Sequence, residues 1–301
     1  MKAVRVNEYN KPVDIENVAL PVPGAKQVLV KVRASGVNPV DRGFVAGWMD
    51  AFVPAPLTLG ADFAGDVVAV GSDVTHVRAG DAVYGMSPSY GTYAEYVAVN
   101  SNGVALKPRS LDYVAAAAVP LAGLTAWQTL FNLARLESGE RVLIHGAGGG
   151  IGAFAVQLAK NAGAYVIAHD RGDKEAFVRG LGADEFIDAD TQRFEDAVGN
   201  VDVVLDLVGG EYIRRSFSIC GPGARYVTPA GQPPQAEAEK RGIFASGTFT
   251  QPTVDELTAL AEAIDAGKLT VRVARTFPLD DIHTALQYKA EKPGKVVVTT
   301  G

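Results

Sequence analysis

The sequence predicts an α/β protein, with a barrel-like β region joined to a doubly wound, mostly parallel sheet. Three observations predict it. Short apolar runs of period two, separated by Pro- and Gly-rich turns, fill the first third. After about residue 111 strands and helices alternate, which implies parallel strands joined by helical crossovers. A glycine-rich turn, Gly146–Gly152, lies between a strand pattern and a helix pattern.

The elements follow in order. In Val28-Leu29-Val30-Lys31-Val32-Arg33-Ala34 the even positions are apolar while Lys31 and Arg33 point the other way, as in a half-buried strand. Similar runs occur at Met1–Val6, Asp66–Val70, Ala82–Tyr84 and Ala94–Val99. Turn signals stand between them, at Pro21–Gly24, Gly71–Asp73 and Ala79–Asp81. Helical periodicity runs on to Arg135, and Arg141–His145 reads as a strand. Ile151, Ala155, Leu158, Ala159 and Ala162 share one helix face, and Gly163 stops that helix. Tyr165–His169 is the next strand and Lys174–Gly180 the next helix. Glu185–Asp188, Val201–Leu207, Arg225–Thr228 and Ile243–Phe249 read as further strands. Val254, Leu257, Leu260, Ala261 and Ile264 mark an amphipathic helix, Asp281–Ala290 another, and Lys295–Thr299 a last strand.

Composition bounds the function. The 301 residues suggest two domains at about 150 residues each. Glycine is in excess, with 33 residues, and Cys220 is the single cysteine. One cysteine forms no internal disulfide, and with four histidines it builds no thiolate-rich zinc site of the usual spacings. The net charge, 28 − 34 = −6, disfavours nucleic acid, whose phosphates call for clustered Lys and Arg. The first residues lack the apolar core of a secretory signal, so a cytoplasmic location is expected. Tyr113–Ala134 is uncharged over 22 residues but holds Pro120, Gly123, Gln128 and Asn132. It reads as a buried helical connector rather than a membrane span.

The glycine turn carries the chemistry. Ala147, Gly149 and Gly152 fall on an A-x-G-x-x-G pattern. Gly149 would let the backbone approach a pyrophosphate, and Gly152 would let the helix pack closely on the strand. Gly150 and Ile151 would open the helix, whose N-terminal N–H groups attract negative charge. The competing reading is a tight turn without a ligand. The charges after the second strand conflict. Asp170 would accept from an adenosine ribose and favours NAD. Arg171 and Lys174 would attract a 2′-phosphate and favour NADP, unless they are ordinary charges at a solvated helix start.

Seven ordered segments resemble a known family over essentially the whole chain. They are Ala34–Asp41, Leu59–Gly65, Gly80–Met86, Thr92–Val97, Ala122–Trp127, Phe177–Asp184 and Pro293–Thr299. They resemble the zinc-free, ζ-crystallin-like quinone oxidoreductases of the medium-chain dehydrogenase/reductase superfamily. The resemblance implies a GroES-like β-barrel catalytic domain, expected at 1–118 and 253–301, with a Rossmann domain inserted at 119–252. It also implies a cofactor in the cleft between the domains and a homodimer.

Zinc-dependent relatives carry a metal-binding Cys where this chain has Asn38, and His-Glu where it has Ala61-Asp62. No zinc is therefore expected. Without a Lewis acid, reduction of an already electrophilic acceptor remains feasible, such as a quinone or an α,β-unsaturated ketone. Asn38 is the candidate for polarising the acceptor oxygen or ordering a water; its alternative is a turn residue before Pro39. Asp41 and Asp62 read as structural. By position, Thr125 would touch the nicotinamide side, and Gly149, Gly150, Ile151 and Gly152 the pyrophosphate. Val208 and Gly209, then Thr248 and Phe249, end strands at the ligand edge of the sheet. Lys174 matches a basic position that relatives use for the 2′-phosphate, which tips the expected cofactor to NADP(H), with NAD(H) the alternative.

Two departures weaken the match. Relatives often have Tyr or His where this chain has Ala189. A tyrosine that some relatives carry aligns near Gly43, which leaves substrate preference in doubt. Phe44, Trp48 and Phe52 are candidates for an aromatic acceptor pocket, with core packing as the competing reading. A different class also fits: an NADPH-binding sensor or crystallin-like protein with little turnover. Neither nucleic acid nor membrane is expected as a partner.

Overall fold

The computed structural model describes residues 1–289 and 292–301. Within them the chain divides into two units, Met1–Leu121 with Gln251–Gly301, and Ala122–Thr250. The N-terminal segment of the first unit holds strands β1 (Lys2–Val6), β2 (Asp14–Asn17) and β3 (Gln27–Val37), then helix α1 (Pro39–Val45). Next come β4 (Leu57–Thr58), β5 (Asp62–Val70), β6 (Ala82–Met86), β7 (Tyr96–Asn100), β8 (Val104–Leu106) and α2 (Tyr113–Ala117). Helix α3 (Pro120–Trp127) starts before the unit boundary and ends beyond it. The second unit continues with β9 (Arg141–His145), α4 (Gly150–Asn161), β10 (Tyr165–Asp170), α5 (Glu175–Gly180) and β11 (Glu185–Asp188). It ends with α6 (Phe194–Ala197), β12 (Val201–Asp206), α7 (Glu211–Ser216), β13 (Cys220–Thr228), α8 (Gln235–Lys240) and β14 (Phe244–Gly247). The chain then returns to the first unit with α9 (Val254–Asp265), β15 (Val273–Pro278), α10 (Ile282–Gln287) and β16 (Lys295–Thr299).

The long strand β3 organises the first unit. One edge pairs with β5; the other pairs with β7 along its first half and with β16 along its second. Register shifts at Leu29/Val30 and Val32/Ala34 bend it, as bulges do. Val28, Val30 and Val32 alternate into a core shared with Phe63, Val83 and Val99. From Ala34 onward the strand is buried throughout. At Gly36 it passes so close to α2 that a Cβ would lie 2.5 Å from the Ala117 carbonyl oxygen.

The second unit is a six-stranded parallel sheet in the order β11-β10-β9-β12-β13-β14. Counted from its first strand the order is 3-2-1-4-5-6, with the direction reversing between β9 and β12. Ligands bind outside the carboxyl ends of strands at that reversal. Leu143, Ile167, Ile187, Val204 and Tyr226 form its core with Phe194 and Phe217. The α/β organisation read from the sequence is the organisation of the chain.

Several elements differ from expectation. Strand β2 is polar and largely exposed, so no alternation announces it. The expected strand Val201–Leu207 stops at Asp206, whose side chain turns the chain. The expected strand Ile243–Phe249 contracts to β14. The helix expected at Asp281–Ala290 is the shorter α10 after a 3₁₀ turn, Leu279–Asp281, and Ala290 lies outside the described residues. Helix α1 was not foreseen. Its signal is Asn38-Pro39-Val40-Asp41: a capping residue, Pro at the first helical position and an acid at the third. The uncharged run Tyr113–Ala134 is broken into α2, α3 and a π-helical turn at Gln128–Leu133. Among the described residues no helix is long and apolar enough to cross a membrane.

Candidate functional site: a glycine loop and a buried polar cluster

In the second unit the loop leaves β9 at the sheet's reversal point. Gly146 has φ +74°, a conformation that favours glycine. Its N–H donates to the His169 carbonyl at 2.9 Å, and Gly149 N–H donates back to Gly146 at 3.0 Å. Gly149 is the N-cap of α4. At Gly152 a Cβ would come within 2.3 Å of Gly146 O and 2.6 Å of Ala147 O, so the helix reaches its place only with glycine there. The N–H groups of Gly150, Ile151 and Gly152 lie in the first helical turn, where no intrahelical carbonyl reaches them. This is a ready cradle for a phosphate group.

Asp170 ends β10 beside this loop. Its Oδ2 accepts from Gly148 N–H at 2.7 Å and its Oδ1 from Arg171 N–H at 2.8 Å. The Lys174 stem lies over Gly148, where a Cβ would be 3.0 Å from it, and Lys174 is largely buried. The Lys174 ammonium and the Arg171 guanidinium both face Asp173, at 3.5 and 3.4 Å. Asp170, Arg171 and Lys174 are therefore gathered at the loop. Val208 and Gly209 follow β12, with their N–H groups held by Asp206 Oδ1 at 2.8 and 2.9 Å. Thr125 pairs with Thr250 through their hydroxyls at 2.6 Å. Thr248 N–H binds Thr228 O at 3.0 Å, while Phe249 next to it is 77% exposed.

Behind the loop lies a pair of histidines at the ends of neighbouring strands that no local sequence pattern links. His145 and His169 face each other across β9 and β10, with Nδ1 atoms 2.7 Å apart. Ser216 Oγ gives its one proton to Tyr212 O, so it accepts from His145 Nε2–H at 2.9 Å. His145 Nδ1 is then the acceptor and His169 Nδ1–H the donor. Burial lowers the proton affinity of both imidazoles, that of His145 strongly. Both are neutral near pH 7 (about half a unit above their ordinary midpoint).

In the first unit Asn38 sits in a buried polar cluster. Its Nδ2 donates to Asp62 Oδ2 at 2.9 Å and lies 3.3 Å from Gly36 O. Its Oδ1 accepts from the Lys295 ammonium. Lys295 also donates to Val37 O at 3.1 Å and stands 3.8 Å from Asp62 Oδ2. Asp41 reaches back to Asn38 N–H at 2.8 Å and accepts from the Tyr93 hydroxyl at 2.6 Å. Its Oδ1 has no hydrogen-bond partner although it is buried. Burial pushes the Asp41 carboxyl up to about 6. Burial also raises Asp62, against the pull of Lys295, and lowers Lys295. One ammonium thus serves two interior carboxyls. The Asn38 amide is held at both ends, and only the N–H now on Gly36 O could be offered elsewhere. Lys295 and Tyr93 were not named as site residues, because a lysine in an apolar strand run gives no local sign of its partner.

The three aromatic candidates do not converge. Phe44 is fully buried in a core cluster, with its ring centroid 4.4 Å from that of Tyr90. Trp48 and Phe52 are 71% and 79% exposed. Trp48 lies over Gly43, where a Cβ would meet its ring at 2.5 Å, so it fills the space a larger residue at 43 would take.

The alcohol dehydrogenase GroES-like domain family model matches residues 24–109, and the zinc-binding dehydrogenase family model matches 181–298. A mitochondrial NAD(P)H oxidoreductase of Mus musculus, RTN4IP1, is 33% identical, over 94% of this chain and 84% of its own. A quinone oxidoreductase of Lama guanicoe is 30% identical, over 99% of this chain and 97% of its own. The crystal structure of the CurK enoyl reductase superposes with a TM-score of 0.90 at 29% identity, covering 100% of this chain and 99% of that one.

Proposed function

The chain belongs to the medium-chain dehydrogenase/reductase superfamily, in its quinone oxidoreductase-like group, and on that premise we propose an NADPH-dependent reductase of quinones or α,β-unsaturated carbonyls. It is an oxidoreductase that uses a nicotinamide cofactor. The observation that carries the finer reading is the ammonium of Lys295 inside the cluster of Asn38, Asp62 and Asp41.

That cluster does not suit zinc, although zinc is what one family description suggests. Leu121 N–H and Asn38 Nδ2 already engage the two Asp62 oxygens, at 2.7 and 2.9 Å, and the positive charge beside them is an ammonium. Among the described residues no three His, Cys, Asp or Glu side chains gather as a metal set. An alcohol would need an alkoxide-forming device, whereas a quinone or enone is electrophilic already.

The glycine loop fits a dinucleotide. Gly150, Ile151 and Gly152 would hold its pyrophosphate, and Thr125, Val208, Gly209, Thr248 and Phe249 its nicotinamide half. Lys174 and Arg171 favour a 2′-phosphate at the adenosine end, whereas Asp170 favours a free ribose hydroxyl. When bound, the reduced nicotinamide supplies a hydride. The protein's part is to orient, to exclude water and to steady the charge that develops on the acceptor oxygen. The candidate for that last part is the Asn38 N–H now on Gly36 O, with Lys295 fixing the other end of the amide. The acceptor gains one hydride and one proton, the proton coming from water.

Label transfer tests this reading. With NADPH deuterated at both C4 positions, an enone should be reduced with deuterium at its β-carbon. A saturated product without that label, or no product while NADPH binds, contradicts the reading.

A further inference from the structure

The first unit carries a cleft that shares no residue with the Asn38 cluster or the glycine loop. It is an open groove of about 740 Å³ between the Asn10–Val13 segment, the C-terminal half of α1 and α10. That volume is within the ~300–1,000 Å³ usual for small-molecule sites. Val13, Val45 and Leu286 make its walls apolar. Four residues with basic side chains also line it, all of them solvent-exposed: Lys11, Arg42, His283 and Lys289. Among the described residues no carboxylate lines the cleft and none pairs with these four groups.

Backbone ties fix its shape. Asn10 N–H donates to Val45 O at 2.9 Å, holding the first segment on α1, and Asn10 itself has φ +62°. Arg42 Nη2 donates to Tyr288 O at 2.9 Å, which ties α1 to the end of α10. The same bond positions the guanidinium and leaves its remaining N–H groups for a planar anion. Cations around an apolar wall complement one chemistry, an anionic head on a hydrocarbon tail.

We propose that this cleft binds an alkyl carboxylate, with its head on Arg42 and Lys289 and its chain along Val13, Val45 and Leu286. The site is independent of hydride transfer, whose proposed acceptors are uncharged. It would let a fatty-acid-like metabolite occupy the catalytic unit without entering the reaction.

Calorimetric titration of the full chain tests it with butanoate, hexanoate, octanoate, acetate and octan-1-ol. One octanoate should bind per chain, with affinity rising about four-fold per added methylene. Acetate and octan-1-ol should bind at least about ten-fold more weakly, since each lacks one half of the recognition. Arg42→Ala with Lys289→Ala should weaken octanoate by about ten-fold or more. Lys26→Ala with Lys240→Ala removes the same charge elsewhere and should leave binding unchanged. The proposal is overturned if octan-1-ol binds as tightly as octanoate, if the two double variants lose affinity equally, or if neither loses any.

Discussion

Asp170 Oδ2 accepts the Gly148 N–H at 2.7 Å, which ties the end of the second sheet strand to the loop that leaves the first. The carboxylate is thus part of the loop's architecture as well as a neighbour of the proposed cofactor site. Its charge stands beside those of Arg171 and Lys174, and in the proposed function the balance among them sets cofactor choice.

Arg171→Ala with Lys174→Ala should therefore weaken NADPH by about ten-fold or more and NADH by much less. Asp170→Asn should shift preference the other way, since it removes the charge that repels a 2′-phosphate. Fluorescence titration with both cofactors measures this. Equal losses for NADPH and NADH would remove the 2′-phosphate role.

Gly152→Ala places a Cβ 2.3 Å from Gly146 O. Backbone cannot rotate away as a side chain can, so α4 must shift off the loop. The expected cost is roughly 1–3 kcal/mol of stability, with loss of cofactor binding. A variant with unchanged thermal stability and NADPH affinity would show that the close approach at Gly152 is not required.

Lys295→Met leaves Asp62 and Asp41 buried without their cation. Removing one partner of a buried ion pair costs about 3–5 kcal/mol. Urea unfolding should report that loss, and Lys295→Arg should recover only part of it, because the longer planar group does not fit the ammonium's place. A Met variant as stable as the parent would contradict the cluster's electrostatics.

The histidine pair gives a pH prediction. Folding holds both imidazoles below their ordinary value of 6.5, so the unfolded chain takes protons first as pH falls. The pair's contribution is present above about pH 6.5 and is withdrawn below it. Asp41 has the opposite sign. Its folded carboxyl sits at about 6 against an ordinary 3.8, so its contribution is full below 3.8 and lost as pH rises through about 6. Asp41→Asn should therefore steepen the acid-side loss of stability. Nitrogen-15 NMR near pH 7 should show His145 as the Nε2–H tautomer and His169 as the Nδ1–H tautomer. Imidazolium signals for both would overturn the assignment.

The glycine loop was legible because its requirements are local: a strand, small residues at fixed spacing and a helix. Likewise the sheet strands of the second unit announced themselves by apolar runs, although Asp206 ended one of them a residue early through its side-chain turn. The Asn38 cluster was not legible. Asn38 and Lys295 lie 257 positions apart, and only β16 pairing with β3 brings them together. Phe44 could not be distinguished from Trp48 by type, since burial follows from where the chain places each: Phe44 falls on α1 and packs in the core, whereas Trp48 follows that helix in an exposed turn. Helix α1 carries a readable signal in Asn38-Pro39 and Asp41, but at seven residues it is too short to show a helical periodicity.

Acceptor-dependent oxidation of NADPH tests the central claim most directly. The absorbance of NADPH is followed with para-benzoquinone, a methyl vinyl ketone and a primary alcohol with NADP⁺, each with and without a metal chelator. The account predicts NADPH consumption with the quinone or the enone, unchanged by the chelator, and none of the reverse reaction with the alcohol. Saturable NADPH binding without turnover of either acceptor would contradict it, as would activity that the chelator abolishes.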